Sequence, residues 1–499
     1  MIHCYKLFGY NIVLDVASGS VHSVDDLAYD VILAYKETGG GIDRGELIKS
    51  VILRHAGVSA SDVFELLDDI DALKNRGKLF SSDSYVKSAK SGNDSPLSAL
   101  CLNVSHLCNM SCIYCFAGNR VKPEAAVDTV FYLDDSKHKD AEQRAAAREA
   151  SEHEGGSHVC PPSDEWLMNL ETGKYAIDFL VASSGFRKNL DVDFFGGEPL
   201  LNWDVVKGVV KYAREIERKT DKRFRFTLTT NALLIDDDVI NFTNKEIHNV
   251  VLSMDGRPSV HDAMRKQPGG GGSYRDVVAN IKKLVSARRG KGYYIRGTFT
   301  GENKDFVNDI LHIADLGFRE LSMEPVVSKH AESYGFEHGD LPELFAQYET
   351  LAVEMLNREK SGNGFNFYHY NLDFAEGPCV HKRIAGCGVG TEYLAVTPSG
   401  ELYPCHQFVG DKRFLMGDVR RGIANNDLRN EFSQCNIYSR KECRDCWARF
   451  YCSGGCAANA FYDSGSIGGV YKFGCELFKK RIECAIMMNV ARQTQRPAP

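Results

Sequence analysis

The sequence has no long apolar run. No stretch reaches the roughly 18 uncharged apolar residues that a membrane-spanning helix needs, so no membrane partner is expected. The first residues, MIHCYKLFGYNIVLDV, lack a signal-peptide shape, because Asp15 interrupts them and no small-residue cleavage site follows. A cytoplasmic location is therefore expected. A basic excess is also missing: 60 Lys+Arg face 67 Asp+Glu, a net charge of −7. That argues against a nucleic-acid footprint, which needs a basic face. Collagen-like, coiled-coil and wholly disordered classes are excluded by a composition of 43% apolar and 25% charged residues. Cysteine is absent between Cys160 and Cys379 although the 499 residues hold 16. Scattered structural cysteines would not leave that gap. In a reducing compartment such clusters read as metal ligands or redox groups before disulfides.

Residues 1–90 read as a first unit. YNIVLDV and SGSVHSV form a hairpin, helices follow from Ser23 to about Tyr35 and near 43–56 and 59–76, and Phe80 falls on a returning strand. Strand pair, three helices and strand suit a small winged-helix module. KSAKSGNDSP at 87–96 is a linker. From 98 to 330 strand-like segments (ALCLNVS, NLDVDFFG, RFRFTLTTN, HNVVLSMDG, YYIRGTFT, RELSMEPV) alternate with helical patterns near 165–184, 203–219, 236–244, 274–288 and 303–315. Such alternation predicts an α/β fold with a parallel sheet, a complete or partial (β/α) barrel whose chemistry sits after the strands' C-terminal ends. The polar run at 135–158 reads as a solvated insertion, PGGGGSY at 268–274 as a flexible loop, 331–375 as a helical bridge, and 376–485 as a loop-rich, cysteine-dense domain. QTQRPAP looks like a frayed tail.

Cys108-Asn109-Met110-Ser111-Cys112-Ile113-Tyr114-Cys115 follows the first barrel strand. Three thiolates can hold three irons of a 4Fe–4S cluster. No fourth ligand is local, which leaves the fourth iron open to a small molecule. The alternative, structural zinc, wants four closed ligands, usually as CxxC pairs. CxxxCxxC on a strand-to-helix loop resembles the signature of radical S-adenosyl-L-methionine (SAM) enzymes over about 98–330. The resemblance implies that Cys108, Cys112 and Cys115 bind the cluster. It also implies that the open iron chelates SAM, and that an electron cleaves SAM into methionine and a 5′-deoxyadenosyl radical. Tyr114 matches an aromatic near the adenine.

Gly196-Gly197-Glu198-Pro199 ends the strand DVDFF. The glycines allow close approach of backbone to a ligand, and the carboxylate can accept from an ammonium group. GGEP resembles the family's motif for the SAM amino group; alone it could be a tight turn. Later strand ends carry Thr229-Thr230-Asn231 and Ser253-Met254-Asp255-Gly256. Thr229, Asn231, Ser253 and Asp255 are SAM contacts by resemblance, or ordinary caps of the next helix.

The C-terminal set runs Cys387, Gly400, Cys405, then Cys443-x2-Cys446-x5-Cys452-x3-Cys456, then Cys475. It resembles the SPASM extension, which carries two auxiliary 4Fe–4S clusters, giving three in all; two zinc sites are the alternative. By resemblance Cys443, Cys446, Cys452 and Cys475 hold the outer cluster and Cys387, Cys405 and Cys456 the inner one. Cys379 either fills the inner cluster's fourth site or leaves it open to a substrate thiolate. Cys4, Cys101, Cys160, Cys435 and Cys484 match no motif and read as free thiols. Sulfatase-maturating relatives place an acid beside the inner-cluster cysteine; here it is His406, a base near neutral pH or a hydrogen-bond donor to sulfur.

A winged-helix unit ahead of such an enzyme resembles a peptide-recognition element, binding a leader peptide as an added strand. DNA binding by the same fold would need a basic stripe, and acids such as Asp25, Asp26, Asp68 and Asp71 interrupt the Lys and Arg of residues 1–90. The opening segment and CGVGTEYLAVTPSGELYPCHQFVG at 387–410 resemble maturases of the six-cysteine peptides called SCIFF. That implies thioether crosslinks from Cys sulfur to an acceptor carbon in a ribosomal precursor peptide, with an external reductant such as flavodoxin or ferredoxin. Other radical SAM–SPASM reactions, including C–C crosslinking, epimerisation and sulfatase-type oxidation, are the alternative.

Overall fold

Residues at the start of the chain are rich in β-branched and aromatic side chains, which favour strands. They fold as an antiparallel meander of β1 (Ile2–Leu7), β2 (Tyr10–Asp15) and β3 (Ser20–Val24) in that order. The β1–β2 turn is two residues, Phe8 and Gly9, both at positive φ (47° and 81°), the conformation that matches strand twist. Helices α1 (Asp26–Glu37), α2 (Arg44–Ile52) and α3 (Ala60–Asn75) follow. Asp43 caps α2, and Ser59 with Asp62 forms a capping box on α3. Val13, Tyr29, Val31, Leu47, Val63 and Leu67 share one core. The hairpin is present, but β1 precedes it and Phe80 is on no strand. Phe80 sits at φ 52°, which strand pairing does not tolerate, with its ring 4.8 Å from Tyr35.

The computed structural model describes residues 1–37, 43–86, 95–117, 166–327, 332–372 and 380–494. The expected insertion at 135–158, Cys160 and Cys379 lie outside the described residues. Two compact units arise. One joins Met1–Gly92, His338–Gly386 and Cys435–Pro499; the other joins Asn93–Glu337 and Cys387–Gln434.

The second unit holds the barrel. Its chain runs β4 (Ala99–Ser105), α4 (Leu170–Ser183), β5 (Asn189–Gly196), α5 (Trp203–Glu217), β6 (Arg223–Thr230), α6 (Asp237–Glu246), β7 (Asn249–Ser253), α7 (Pro258–Met264), α8 (Tyr274–Arg288), β8 (Gly292–Phe299), α9 (Phe306–Asp315) and β9 (Glu320–Pro325). Each strand pairs in parallel with the next. The edge of β4 that a closed barrel would give to β9 is taken instead by β10 (Tyr393–Val396), also parallel. Antiparallel β11 (Glu401–Tyr403), β12 (Gly417–Asp418) and β13 (Gly422–Ile423) extend that side. The barrel is therefore partial. Along β5, Leu190, Val192 and Phe194 are fully buried on one face, and Asp191, Asp193 and Phe195 alternate on the other. The six expected strands and the five expected helices are present. Helix α7 was not expected: at seven residues it is too short to show a period, and Pro258 in its first turn starts it.

In the first unit, α10 (Leu341–Lys360) lies along α14 (Lys472–Thr494), joined by Lys480–Glu349 at 2.8 Å and Arg492–Glu359 at 2.5 Å. Short helices α11 (Lys441–Arg444), α12 (Arg449–Cys452) and α13 (Ala457–Ser464) precede α14. The meander rests on this group. The Tyr5 hydroxyl donates to the Glu483 carbonyl (2.9 Å), and His3 stacks on Trp447 at 3.7 Å with the ring planes nearly parallel. Asp83 accepts from Arg449 (2.9 Å) and Tyr438 (2.8 Å). No helix among the described residues is long and apolar enough to cross a membrane.

Candidate active site

The β4 strand ends in a tight turn: the Leu107 N–H donates to the Ser105 hydroxyl at 3.0 Å. Cys108, Cys112 and Cys115 follow on the loop. Ser111 and Cys112 pair in antiparallel register with Lys266 and Arg265, just after α7, and the Ile113 N–H donates to the Met264 carbonyl (2.9 Å). Burial pushes the Cys108 thiol up, with the nearby Glu198, Cys112 and Cys115 adding to it. Burial pushes Cys112 to about 11, against the pull of Arg265. Thiolates are the metal-binding form, so loading iron here must release protons.

The loop after β5 is zipped onto this one. The Gly197 N–H donates to the Ser105 carbonyl (2.7 Å) and the Glu198 N–H to the Leu107 carbonyl (2.8 Å). A Cβ on Gly196, at φ 130°, would drive into the Ser105 carbonyl, and one on Gly197 into the Leu107 carbonyl. Glu198 is fully buried. Its Oε1 accepts from the Leu200 N–H (3.0 Å) and the Thr230 hydroxyl (2.7 Å), its Oε2 from the Asn231 N–H (2.8 Å). Burial pushes it to about 7 against those three bonds. Its two oxygens thus tie the ends of β5 and β6 together, while Pro199, also buried, opens the next turn. The backbone of Gly196 and Gly197, not the Glu198 carboxylate, lines the adjacent cavity.

Asn231 reaches back to the cysteine loop, its Nδ2 donating to Asn109 at 2.7 Å with Cys108 Sγ at 3.8 Å. Thr229 and Ser253 stand half-buried near the ends of β6 and β7. Asp255 is fully buried and fully engaged. The Tyr114 hydroxyl donates to its Oδ2 (2.5 Å), Arg265 Nε lies 3.0 Å from the same oxygen, and the Thr298 N–H donates to Oδ1 (2.9 Å). The Asp255 N–H donates to His261 Nδ1 (3.3 Å), so the His261 proton sits on Nε2, 3.0 Å from the Ser273 hydroxyl. Burial holds His261 down at about 4, with Arg265 adding to the effect. Sequence reasoning missed Arg265 and His261; neither belongs to a spacing that motif reading recognises.

The cavity beside Gly196 and Gly197 is lined by Asn103, Phe116, Phe195 and His406. The His406 ring lies 4.9 Å from that of Phe195 and 5.5 Å from that of Phe116. Cys405 is buried and Cys387 exposed. Burial raises the Cys101 thiol and the Tyr393 hydroxyl, and both Asp193 and Cys405 lie close enough to add to each. Burial raises Asp193 to about 6, Asp191 adds to it, and Thr227 opposes it. Asp193 was also missed, although a charged residue alternating on a barrel strand was the available signal.

In the other unit Cys446 stands near Cys443, Cys452 and Cys475 and raises the resistance of those three thiols to ionisation. Burial leads in each case, pushing Cys452 to about 12 and Cys475 to about 11. Ser453, Gly454 and Gly455 all adopt positive φ between Cys452 and Cys456, held by buried Arg440, which bonds the Gly454 and Ile467 carbonyls. Cys456 is exposed. Cys435 is a free cysteine whose sulfur accepts from Arg440 at 3.0 Å.

Residues 102–314 match the radical SAM superfamily and 387–447 the SPASM iron–sulfur cluster-binding domain. The chain is 20% identical to the radical SAM cyclopropyl synthase TigE of Paramaledivibacter caminithermalis, over 77% of this chain and 72% of that one. It is 24% identical to the cysteine-type anaerobic sulfatase-maturating enzyme of Clostridium perfringens, over 60% and 82%. Among solved structures, anSMEcpe with bound AdoMet and Cp18Cys peptide superposes with a TM-score of 0.60 at 20% identity, over 80% of this chain and 100% of that one. A barrel that carries three cysteines on its first loop and the glycine pair on its second, followed by a matching SPASM region, makes this chain a radical SAM enzyme with a SPASM domain, built for SAM and 4Fe–4S clusters.

Proposed function

We propose that this enzyme forms intramolecular thioether crosslinks in a ribosomal, cysteine-rich precursor peptide. The observation that carries the reading is the thiol inventory: beside the Cys108, Cys112, Cys115 loop stand a converging set, Cys443, Cys446, Cys452 and Cys475, and a further pair, Cys387 and Cys405. Joining a thiol to a carbon removes two hydrogens from the peptide, so a site for the surplus electron is required. When bound, SAM and the first cluster supply a hydrogen-abstracting radical, and auxiliary clusters supply the electron sink.

The residues take the following parts. Cys108, Cys112 and Cys115 hold the first cluster. The Gly196–Gly197 backbone and Asn231 hold the SAM amino acid end, Thr229 and Ser253 line its path, and Tyr114, fixed by Asp255, borders the adenine. Cys443, Cys446, Cys452 and Cys475 would hold the outer auxiliary cluster, Cys387, Cys405 and Cys456 the inner one, with Cys379 as its closing ligand or its substrate gate. His406 takes the proton of the donor thiol; an imidazole can do so near neutral pH. Of the two hydrogens the peptide loses, His406 would take the thiol proton, while the bound cofactors would accept the hydrogen atom of the acceptor carbon and the remaining electron, which balances formation of the C–S bond. Residues 1–90 bind the leader peptide, for which the meander offers strand edges. A flavodoxin or ferredoxin supplies the reducing electron.

The test is anaerobic reaction of the full-length enzyme with SAM, reductant and a six-cysteine peptide. The expected product is two hydrogens lighter per link and takes up one fewer iodoacetamide per link. A lighter product with every thiol alkylated means C–C crosslinking instead, and an unchanged mass means epimerisation. His406→Gln is expected to keep peptide-stimulated SAM cleavage and lose at least tenfold in crosslink yield. Equal yields in both enzymes would remove His406 from the mechanism.

A further inference from the structure

We propose that Arg265 is a positioning residue of the first cluster's loop and provides the buried positive charge that stands behind the Cys112 thiolate. The argument begins with the backbone. Cys112 and Arg265 are cross-strand partners, so their side chains leave adjoining points of one ribbon. Arg265 is only 9% exposed. Burying an ion is costly, and a buried pair is weak evidence for a purely stabilising role. The surroundings are nevertheless built to hold it. Asp255 lies 3.0 Å from Arg265 Nε, and the guanidinium carbon lies 5.5 Å from the Tyr114 ring centroid. The Arg265 carbonyl accepts from the Ser273 hydroxyl (2.7 Å), which meets His261, which in turn accepts from the Asp255 N–H. The ring Asp255–His261–Ser273–Arg265 is thus closed and buried.

Asp255 is shared with the Tyr114 hydroxyl and the Thr298 N–H. The same carboxylate therefore anchors the residue between Cys112 and Cys115 and orients the cation. Charge and hydrogen bonding around the sulfurs set the potential of an iron–sulfur centre. A fixed positive charge beside one thiolate favours the reduced, more negative cluster.

The inference rests on the family assignment and not on the crosslinking reading, and its test needs no peptide. Full-length wild type, Arg265→Met, Arg265→Lys and Asp255→Asn are reconstituted anaerobically. Iron per chain is measured, together with the midpoint potential of the cluster whose electron paramagnetic resonance signal shifts on adding SAM. Arg265→Met is expected to keep its iron and to shift its reduction equilibrium about tenfold toward the oxidised form, 59 mV for one electron. Arg265→Lys is expected to stay near wild type, and Asp255→Asn to shift the opposite way. If Arg265→Met instead loses about four irons and Arg265→Lys regains them, the need for the charge stands. Full iron with an unmoved potential in Arg265→Met overturns the proposal. So does equal iron loss in the Met and Lys variants, or a fall in potential in Asp255→Asn.

Discussion

Gly196 shows how little freedom single residues have at this site. Its φ of 130° and its contact with the Ser105 carbonyl both reject a side chain. Gly196→Ala is expected to cost about 3 kcal/mol or more and to lower first-cluster iron, read from urea unfolding of the iron-free protein and from iron per chain; unchanged values in both would refute the packing account. His261 makes a signed prediction. Its native pKa is lowered to about 4 from an unfolded value near 6.5. As pH falls below that unfolded value the unfolded chain takes a proton that the native ring refuses. Stability is therefore lost between pH 6.5 and 4, by about 3 kcal/mol in full. His261→Gln in the iron-free protein is expected to flatten the fall of melting temperature between pH 6.5 and 5. Equal slopes in both proteins would mean that the ring is not neutral in the fold.

Elements carry the coupling between residues far apart in sequence. Strand β1 meets the SPASM cysteines through His3, stacked on Trp447 directly after Cys446, and through Glu483 on α14, 3.0 Å from His3. Trp447→Ala is expected to lower the unfolding free energy by about 2 kcal/mol, with Trp447→Phe retaining most of it, both measured by denaturant unfolding. Equal stability in the two variants would show that the stack contributes nothing. The parallel strands were legible in the sequence because Leu190, Val192 and Phe194 alternate with Asp191, Asp193 and Phe195. β1 was not legible, because IHCYKL carries polar residues on both faces, and His3 and Tyr5 find partners on a helix some 480 positions later.

At the scale of the whole molecule the cysteine sets predict metal content. Reconstituted wild type is expected to hold about twelve irons, and the Cys108/Cys112/Cys115→Ala variant about eight. About four in the wild type, or stoichiometric zinc, would remove the auxiliary clusters from the mechanism. The C-terminal cysteines read as one run in sequence, yet the chain divides between Gln434 and Cys435, leaving Cys387 and Cys405 in one compact unit and Cys443 to Cys475 in the other. Sequence spacing carries no information about such a division, which depends on what α14 and the meander pack against.

By itself the sequence determined the alternating strands and helices, the loop that bears CxxxCxxC and the glycine pair at the next strand end. All of these are local, set by side-chain period and by short spacings. Only the tertiary structure decided that Glu198 faces inward to bind Leu200, Thr230 and Asn231, that Asp255 serves Tyr114 and Arg265, and that His406 lies between Phe116 and Phe195. Those partners lie up to some 290 residues apart. Their meeting depends on how the strand ends of the barrel converge, which no local pattern encodes.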